Sequence, residues 1–226
     1  MRHLQLPLSL LAGSLSINAA TVTSTTSAPT IDGADIAMYT ITDTDFGTSR
    51  LNGDRSARGQ TFTTGSNSTG YLLSSFTLQS AETFTPNGFQ DGEYQLRVGT
   101  LSGSTFTAIA DETTPLDTGF AYTDTHYITF SFDTSVLLAA NTLYAIDVNK
   151  LDGQGFQSYR NTDDSSYTGG TAYSGSNTGS STSDTVNTHG HDRVFHVDLA
   201  AAPIPEPSSL WLSAFAALSL MLRRRR

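Results

Sequence analysis

The chain has 226 residues, 15% of them charged and 37% hydrophobic, a size that suits one β-type domain or two very small ones. Arg2 and Arg223 to Arg226 put five of the twelve basic residues at the ends; with these and Glu206 set aside, seven basic face twenty acidic residues, a net of −13 with Lys150 as the only lysine. So acidic a stretch argues against a nucleic-acid partner, and the lack of cysteine excludes disulfides, thiolate metal sites and a cysteine nucleophile.

Taken in chain order, Met1 to Ala20 reads as a signal peptide and signal helix: Arg2, an apolar run from Leu4 to Ile17, then the small pair Ala19-Ala20 as a cleavage point. Thr21 to Thr30 is polar and starts no periodic pattern. Residues 21–200 follow as one ectodomain with recurrent period-two alternation. Phe62 lies between threonines, and Phe76 pairs with Leu78. From Glu93 to Val98, Tyr94, Leu96 and Val98 share one face, with Glu93, Gln95 and Arg97 on the other. Ile128, Phe130 and Phe132 repeat the pattern, as do Tyr144, Ile146 and Val148, and finally Phe195, Val197 and Leu199. Turn dipeptides separate these runs, among them Asn52-Gly53, Asn87-Gly88, Asp91-Gly92, Ser102-Gly103 and Asp152-Gly153. The expectation is an all-β, antiparallel two-sheet β-sandwich or jelly roll of about eight to ten strands, each sheet with one wet face. Asn161 to His191, rich in Gly, Ser and Thr, reads as a long loop or a pair of loops around a short strand at Thr171–Tyr173.

Candidate chemistry within this domain is thin. Asp111-Glu112 and Asp163-Asp164 are adjacent pairs, and adjacent strand residues point to opposite faces, which does not suit acid–base catalysis. Asp54, Asp91, Asp117 and Asp152 sit at turns, where aspartate bonds its own backbone. His189-Gly190-His191-Asp192 has histidines at i, i+2, a spacing a metal can use, but it reads better as a polar loop into the last strand, which His196 continues. No cofactor is expected. One structural calcium ion is conceivable from the hard oxygens of Asp43-Thr44-Asp45 or Asn161 to Asp164, with no ligand assigned. Gly175-Ser176 and Gly179-Ser180 lack the strand-to-helix elbow of a nucleophilic serine. Phe156, Tyr159, Tyr167 and Tyr173 offer either a stacking platform for a sugar or side chains that pin the loop to the sheet.

The C-terminal segment 201–226 carries the most specific pattern. A short linker ends in Pro205-Glu206-Pro207, followed by the fifteen residues Ser208 to Leu222 and then Arg223, Arg224, Arg225 and Arg226. A helix over 208–222 would be about 22 Å long, short of a bilayer core of about 30 Å, so the span is a weak membrane anchor. The arginines hold its end on the cytoplasmic side and leave the domain outside. This order closely resembles the PEP-CTERM sorting signal of Gram-negative bacteria. The resemblance implies that an exosortase, a membrane protease, recognises Pro205 to Pro207 and removes the helix, with the inner membrane holding the substrate transiently. The stretches Arg58 to Thr64, Leu72 to Leu78, Gly92 to Val98 and Leu138 to Val148 resemble, loosely, the β-sandwich ectodomains of choice-of-anchor type that stand before such signals. Together the resemblances imply an exported, non-catalytic protein of the cell surface or extracellular matrix, in an extracellular-polysaccharide context. A carbohydrate-binding, lectin-like module is the alternative, and a secreted hydrolase a more distant one.

Overall fold

The computed structural model describes residues 20–39, 48–52, 57–81, 92–116, 125–151, 156–162, 167–176 and 181–204. The expected signal helix within 1–20, save Ala20, and the expected membrane helix 208–222 lie outside them. Among the described residues the secondary structure is all β, and every pairing between strands is antiparallel.

Thirteen strands follow one another: β1 (Thr21–Thr25), β2 (Ile36–Met38), β3 (Thr48–Asn52), β4 (Arg58–Thr63), β5 (Tyr71–Gln79), β6 (Gly92–Ser102), β7 (Thr105–Leu116), β8 (Tyr127–Leu138), β9 (Leu143–Lys150), β10 (Phe156–Arg160), β11 (Ala172–Gly175), β12 (Ser183–Thr188) and β13 (Phe195–Ala201). The first sheet has the order β1-β8-β5-β13-β2. The second, β11-β12-β7-β6-β9-β4, closes on itself because β11 pairs with β4 as well as β12. β3 and β10 form a separate two-stranded ribbon.

The two sheets meet where the alternating apolar residues of both face inward. Leu73, Phe76, Leu78, Ile128, Phe130, Phe195, Val197 and Leu199 from the first sheet pack against Phe62, Tyr94, Leu96, Val98, Tyr144, Ile146 and Val148 from the second. At about 1.5–3 kcal/mol for each large buried apolar side chain, this layer is the main stabilising term. The phrase Leu138 to Val148 crosses between the sheets: β8 ends at Leu138, small residues turn, and β9 begins at Leu143. The turn is tied by Tyr144 Oη, which accepts from Ala139 N at 2.9 Å, and by Thr64 Oγ1, which donates to Ala139 O at 2.7 Å.

Three expectations need correction. The polar stretch after Ala20, read as starting no periodic pattern, does hold a strand: Thr21–Thr25 forms the edge strand β1 on β8, with only Val22 packed against the core. In the Gly/Ser/Thr-rich stretch before His191 the short strand read at Thr171–Tyr173 is present as β11, but the stretch holds a second strand, β12, and with thirteen strands the described residues exceed the eight to ten expected. Most consequentially, the second face of β6 and β9 is not wet. Gln95, Arg97, Asp147 and Asn149 are all buried, because β11 and β12 close the second sheet and cover that face. Closure needs a bare backbone at one point: a Cβ on Gly59 would sit 2.4 Å from Tyr173 Cζ and 2.5 Å from Ile146 O.

Candidate functional site

Three places on the described domain gather polar side chains: the interior of the closed sheet, a cleft on the outer face of the first sheet, and the point where the chain leaves toward Pro205.

Inside the closed sheet, Arg97 on β6 stands opposite Asp147 on β9 in register, both with side chains 0% exposed. The guanidinium binds the carboxylate twice, Nε to Oδ1 at 2.8 Å and Nη2 to Oδ2 at 2.9 Å. Tyr173 Oη donates to Asp147 Oδ2 at 2.9 Å, Arg97 Nη1 donates to Ser181 O at 2.9 Å, and Asp184 Oδ2 stands 3.5 Å from Nη2. Phe106 lies beneath, its ring centre 4.9 Å from Arg97 Cζ. Burial opposes the Arg97 charge, but Asp147, Tyr173 and Asp184 outweigh it and hold the guanidinium above its ordinary range. Burial pushes the Asp147 carboxyl up, while Arg97 and Tyr173 pull it back. The paired geometry is that of two charged groups neutralising one another, and it leaves neither side chain to act on a ligand.

Nearby, Arg193 is fully buried and is bound chiefly by uncharged oxygens: Asn161 Oδ1, Tyr173 O at 2.9 Å and Gly59 O at 3.3 Å. Burial, with Arg58, brings it down to about 9, which still leaves it charged at neutral pH. Asn161 and Arg193 also form an isolated bridge, so the described end of the Asn161–Asp164 oxygen cluster is already engaged; Asp43, Asp45, Asp163 and Asp164 lie outside the described residues. His189 and His191 stack in parallel with ring centres 5.1 Å apart, and His189 Nε2 meets Ser174 Oγ at 2.8 Å. Burial, then Arg193 and Arg58, lower His189. Asp192 turns to Gln60 Nε2 at 2.9 Å and to Tyr167 N at 3.0 Å. Among the described residues, no group of three or more His, Asp or Glu side chains is arranged to hold a metal ion. The tyrosines pin the chain rather than present a platform. Tyr159 and Tyr173 are wholly buried, and Tyr167 packs edge-on to Phe195 with its Oη accepting from Thr63 N at 3.2 Å.

The cleft was not legible in the sequence. β1 and β2 are the two edges of the first sheet, so the residues joining them must cross β8, β5 and β13. Four strand spacings are about 19 Å, well within the reach of ten residues. This strap is held by Asp35, whose Oδ1 accepts from Leu199 N at 2.8 Å and whose Oδ2 lies 3.0 Å from His196 Nε2. Between strap and sheet is a cleft of about 360 Å³, lined by Asp32, Asp198 and the hydroxyls of Ser75, Thr77, Thr129 and Ser131 among others. Burial, with Asp35 and Asp32 close by, pushes the Asp198 carboxyl up, against the pull of His196 and Ser75.

At the exit, β13 pairs with β5 as far as Ala201 and Tyr71. Ala202 is then gripped by a turn on the neighbouring connection. Its N donates to Gly70 O at 3.0 Å, and its O accepts from Thr69 Oγ1 and from Asn67 Nδ2. Gly70 has φ +86°, and a Cβ there would lie 2.3 Å from Leu138 O, so the turn requires glycine on both counts. Beyond Ala202, Pro203 and Ile204 are exposed. Residues Pro205, Glu206, Pro207 and Arg223 to Arg226 lie outside the described residues.

Residues 203–226 match the family model of the PEP-CTERM protein-sorting motif. The motif marks the chain as an exported protein targeted to an exosortase, anchored at its C-terminus before it reaches the surface. It begins at the residue after the one that the Asn67–Gly70 turn grips, so the sorting segment follows the last strand with no intervening linker domain. No curated protein matches this sequence.

Proposed function

We propose that this is a non-catalytic surface or matrix protein of an extracellular-polysaccharide context, processed at Pro205 to Pro207 by an exosortase, with the all-β domain as its working part. The observation that carries the reading is the sorting motif placed directly behind a closed β domain. The disposition of the ionisable groups supports a non-catalytic role: Arg97 and Asp147 are bound to each other, and Asp35 is committed to holding the strap. In this reading the weak span 208–222 holds the chain in the inner membrane, Arg223 to Arg226 fix its direction, and Glu206 marks the processing site. Intact-mass measurement of the mature protein tests it. A chain that still carries the tail after Glu206, in cells with an active exosortase, refutes processing.

A second reading, a carbohydrate-binding module, is favoured by the cleft rather than by the tyrosines. Hydroxyls and carboxylates facing one cavity suit a polyhydroxylated ligand. A glycan array with the mature protein would then give a saturable signal that Thr77→Val weakens; a flat response across the array removes this reading.

A further inference from the structure

The outer face of the first sheet changes character toward the chain exit. Its inner rows are polar: Ser131, Ser75 and Asp198 stand in one row across β8, β5 and β13, and Thr129, Thr77 and His196 in the next. Past the irregularities in β5 and β13, the row nearest the exit is Leu137, Leu72 and Ala200, side by side on the same three strands. Alternation points these three outward, because their neighbours Leu138, Leu73 and Leu199 are in the core. Leu137 is 62% exposed, and just beyond the grip on Ala202 stands Ile204 at 78%. These are two of the most exposed large apolar side chains among the described residues. A flat apolar row has no part in the core and sits where the sorting motif begins.

The motif sets the distance to any enzyme that cuts there. Two residues, Pro203 and Ile204, separate Ala202 from Pro205, and the three chain steps reach at most about 11 Å. Pro203 fixes its own φ and biases Ala202 before it toward extended backbone, so the described residues after the grip make a stiff stem. The Thr69 and Asn67 bonds to Ala202 O keep that stem from swinging freely at its root. A protease that closes around Pro205 to Pro207 therefore abuts the end of the domain, and the surface it meets includes the apolar row.

We infer that Leu137, Leu72 and Ala200 form a docking face for the processing exosortase, with the turn Asn67–Gly70 and the proline stem setting its standoff. This inference rests on the proposed processing. The partner is a membrane enzyme, whose exposed loops or membrane-boundary surface can offer an apolar complement. The domain then does more than carry the signal: it supplies part of the recognition.

The test follows tail loss by pulse–chase and mass in cells with an active exosortase. Six full-length chains are compared: wild type, Leu137→Asp, Ala200→Asp, and each of these three with ten Gly/Ser residues inserted between Ala202 and Pro203. Both substituted side chains are solvent-exposed, and thermal unfolding of each variant checks that the fold is intact. At native spacing each substitution slows maturation on the order of fivefold. With the spacer the enzyme no longer meets the domain, and the substituted chains mature within about twofold of the spacer-only chain. Maturation at the wild-type rate at native spacing overturns the inference, as does an equal delay with and without the spacer. If the substitutions instead weaken binding of the unprocessed chain to liposomes while maturation is unchanged, the row serves the bilayer and the inference falls. A wild-type chain that keeps its tail refutes the processing itself, a different result from all of these.

Discussion

The strands β4, β6 and β9 separate two interiors built from different materials. On one side Phe62, Tyr94, Leu96, Val98, Tyr144, Ile146 and Val148 meet the first sheet in an apolar layer. On the other, Arg97, Asp147 and Tyr173 are bound to one another inside the closed sheet, with only a small apolar group of Phe106, Ala145, Tyr173 and Val186 beside them. The apolar layer is held by area and shape, which tolerate a change of partner if volume is kept. The polar interior is held by direction, and each group in it depends on a named partner. The difference also fixes register. A slip of one residue between β6 and β9 would carry Arg97 into the apolar layer and expel Leu96 from it, or do the same with Asp147 and Val148, so neither interior survives the slip.

The largest expected effects fall on both sides equally and are told apart by rescue. Phe130→Ala empties part of the apolar layer and costs about 3–5 kcal/mol. Arg97→Ala leaves Asp147 buried without its cation and costs about 3–5 kcal/mol as well. Combining Arg97→Met with Asp147→Leu and Tyr173→Phe recovers part of the second loss, because the buried pair and its hydroxyl are removed at once, while Asp184 loses the cation but keeps its bonds from Ser176 N and Oγ. No single neighbour substitution recovers the first to that extent. Urea unfolding of the mature chain and its variants measures all of this. An Arg97→Ala loss under about 1 kcal/mol would mean that water reaches the closed sheet and that the comparison is false.

How far this was readable from the sequence depends on what alternation encodes. Period two tells which residues share a face, and Phe76, Phe130, Tyr144, Ile146 and Val197 all fell on the core side it indicates. It does not tell whether the opposite face meets water. Arg97 and Asp147 alternate as solvent-facing residues would, and only the pairing of β11 with β4, some 110 residues apart in the chain, shows otherwise. Of the covering strands, the first was legible only as a short strand at Thr171–Tyr173 and the second not at all. Apart from Tyr173, the residues of Ala172–Gly175 and most of Ser183–Thr188 are small or polar, because they line an interior already crowded by Tyr173, Phe106 and Arg97, so their composition matches that of a loop. The strap and its cleft were hidden for a similar reason: Asp32 and Asp35 look like turn aspartates, and Asp198 looks like an outward strand residue, until strand order sets them together. The sorting motif, in contrast, is contiguous and needs no fold to be recognised.

A smaller change tests the closure from the backbone side. Gly59→Ala places a methyl against Tyr173 Cζ and the Ile146 carbonyl, and the carbonyl cannot yield without disturbing the β4–β9 ladder. The expected cost is about 1–3 kcal/mol in the same unfolding measurement. Gly103, where a Cβ would meet nothing within 4 Å, is the contrasting site, although its positive φ adds a strain of its own. If Gly59→Ala is neutral, Tyr173 does not close against β4 and the sheet is open there.

The smallest effect concerns the outer side of the first sheet, where Asp198 is only partly buried beside the Asp35–His196 pair. The Asp198 carboxyl is pushed up by burial and then by Asp35 and Asp32, against His196 and Ser75. A raised acid holds its proton more tightly in the folded chain than in the unfolded one, so folding takes up protons between the two pKa values. Stability therefore falls as pH climbs from the unfolded value, about 3.9, through the raised one, and the penalty persists above it. Asp198→Asn removes the charge and raises the melting temperature at neutral pH by up to about 2 °C, since the group is partly solvent-exposed and screened. Below about pH 3.5, where aspartate is protonated in both states, the gain disappears. Melts of both proteins across that range decide it. A loss at neutral pH would show that attraction to His196, not repulsion from Asp32 and Asp35, governs the cleft, and would place the outer face with the paired interior instead of apart from it.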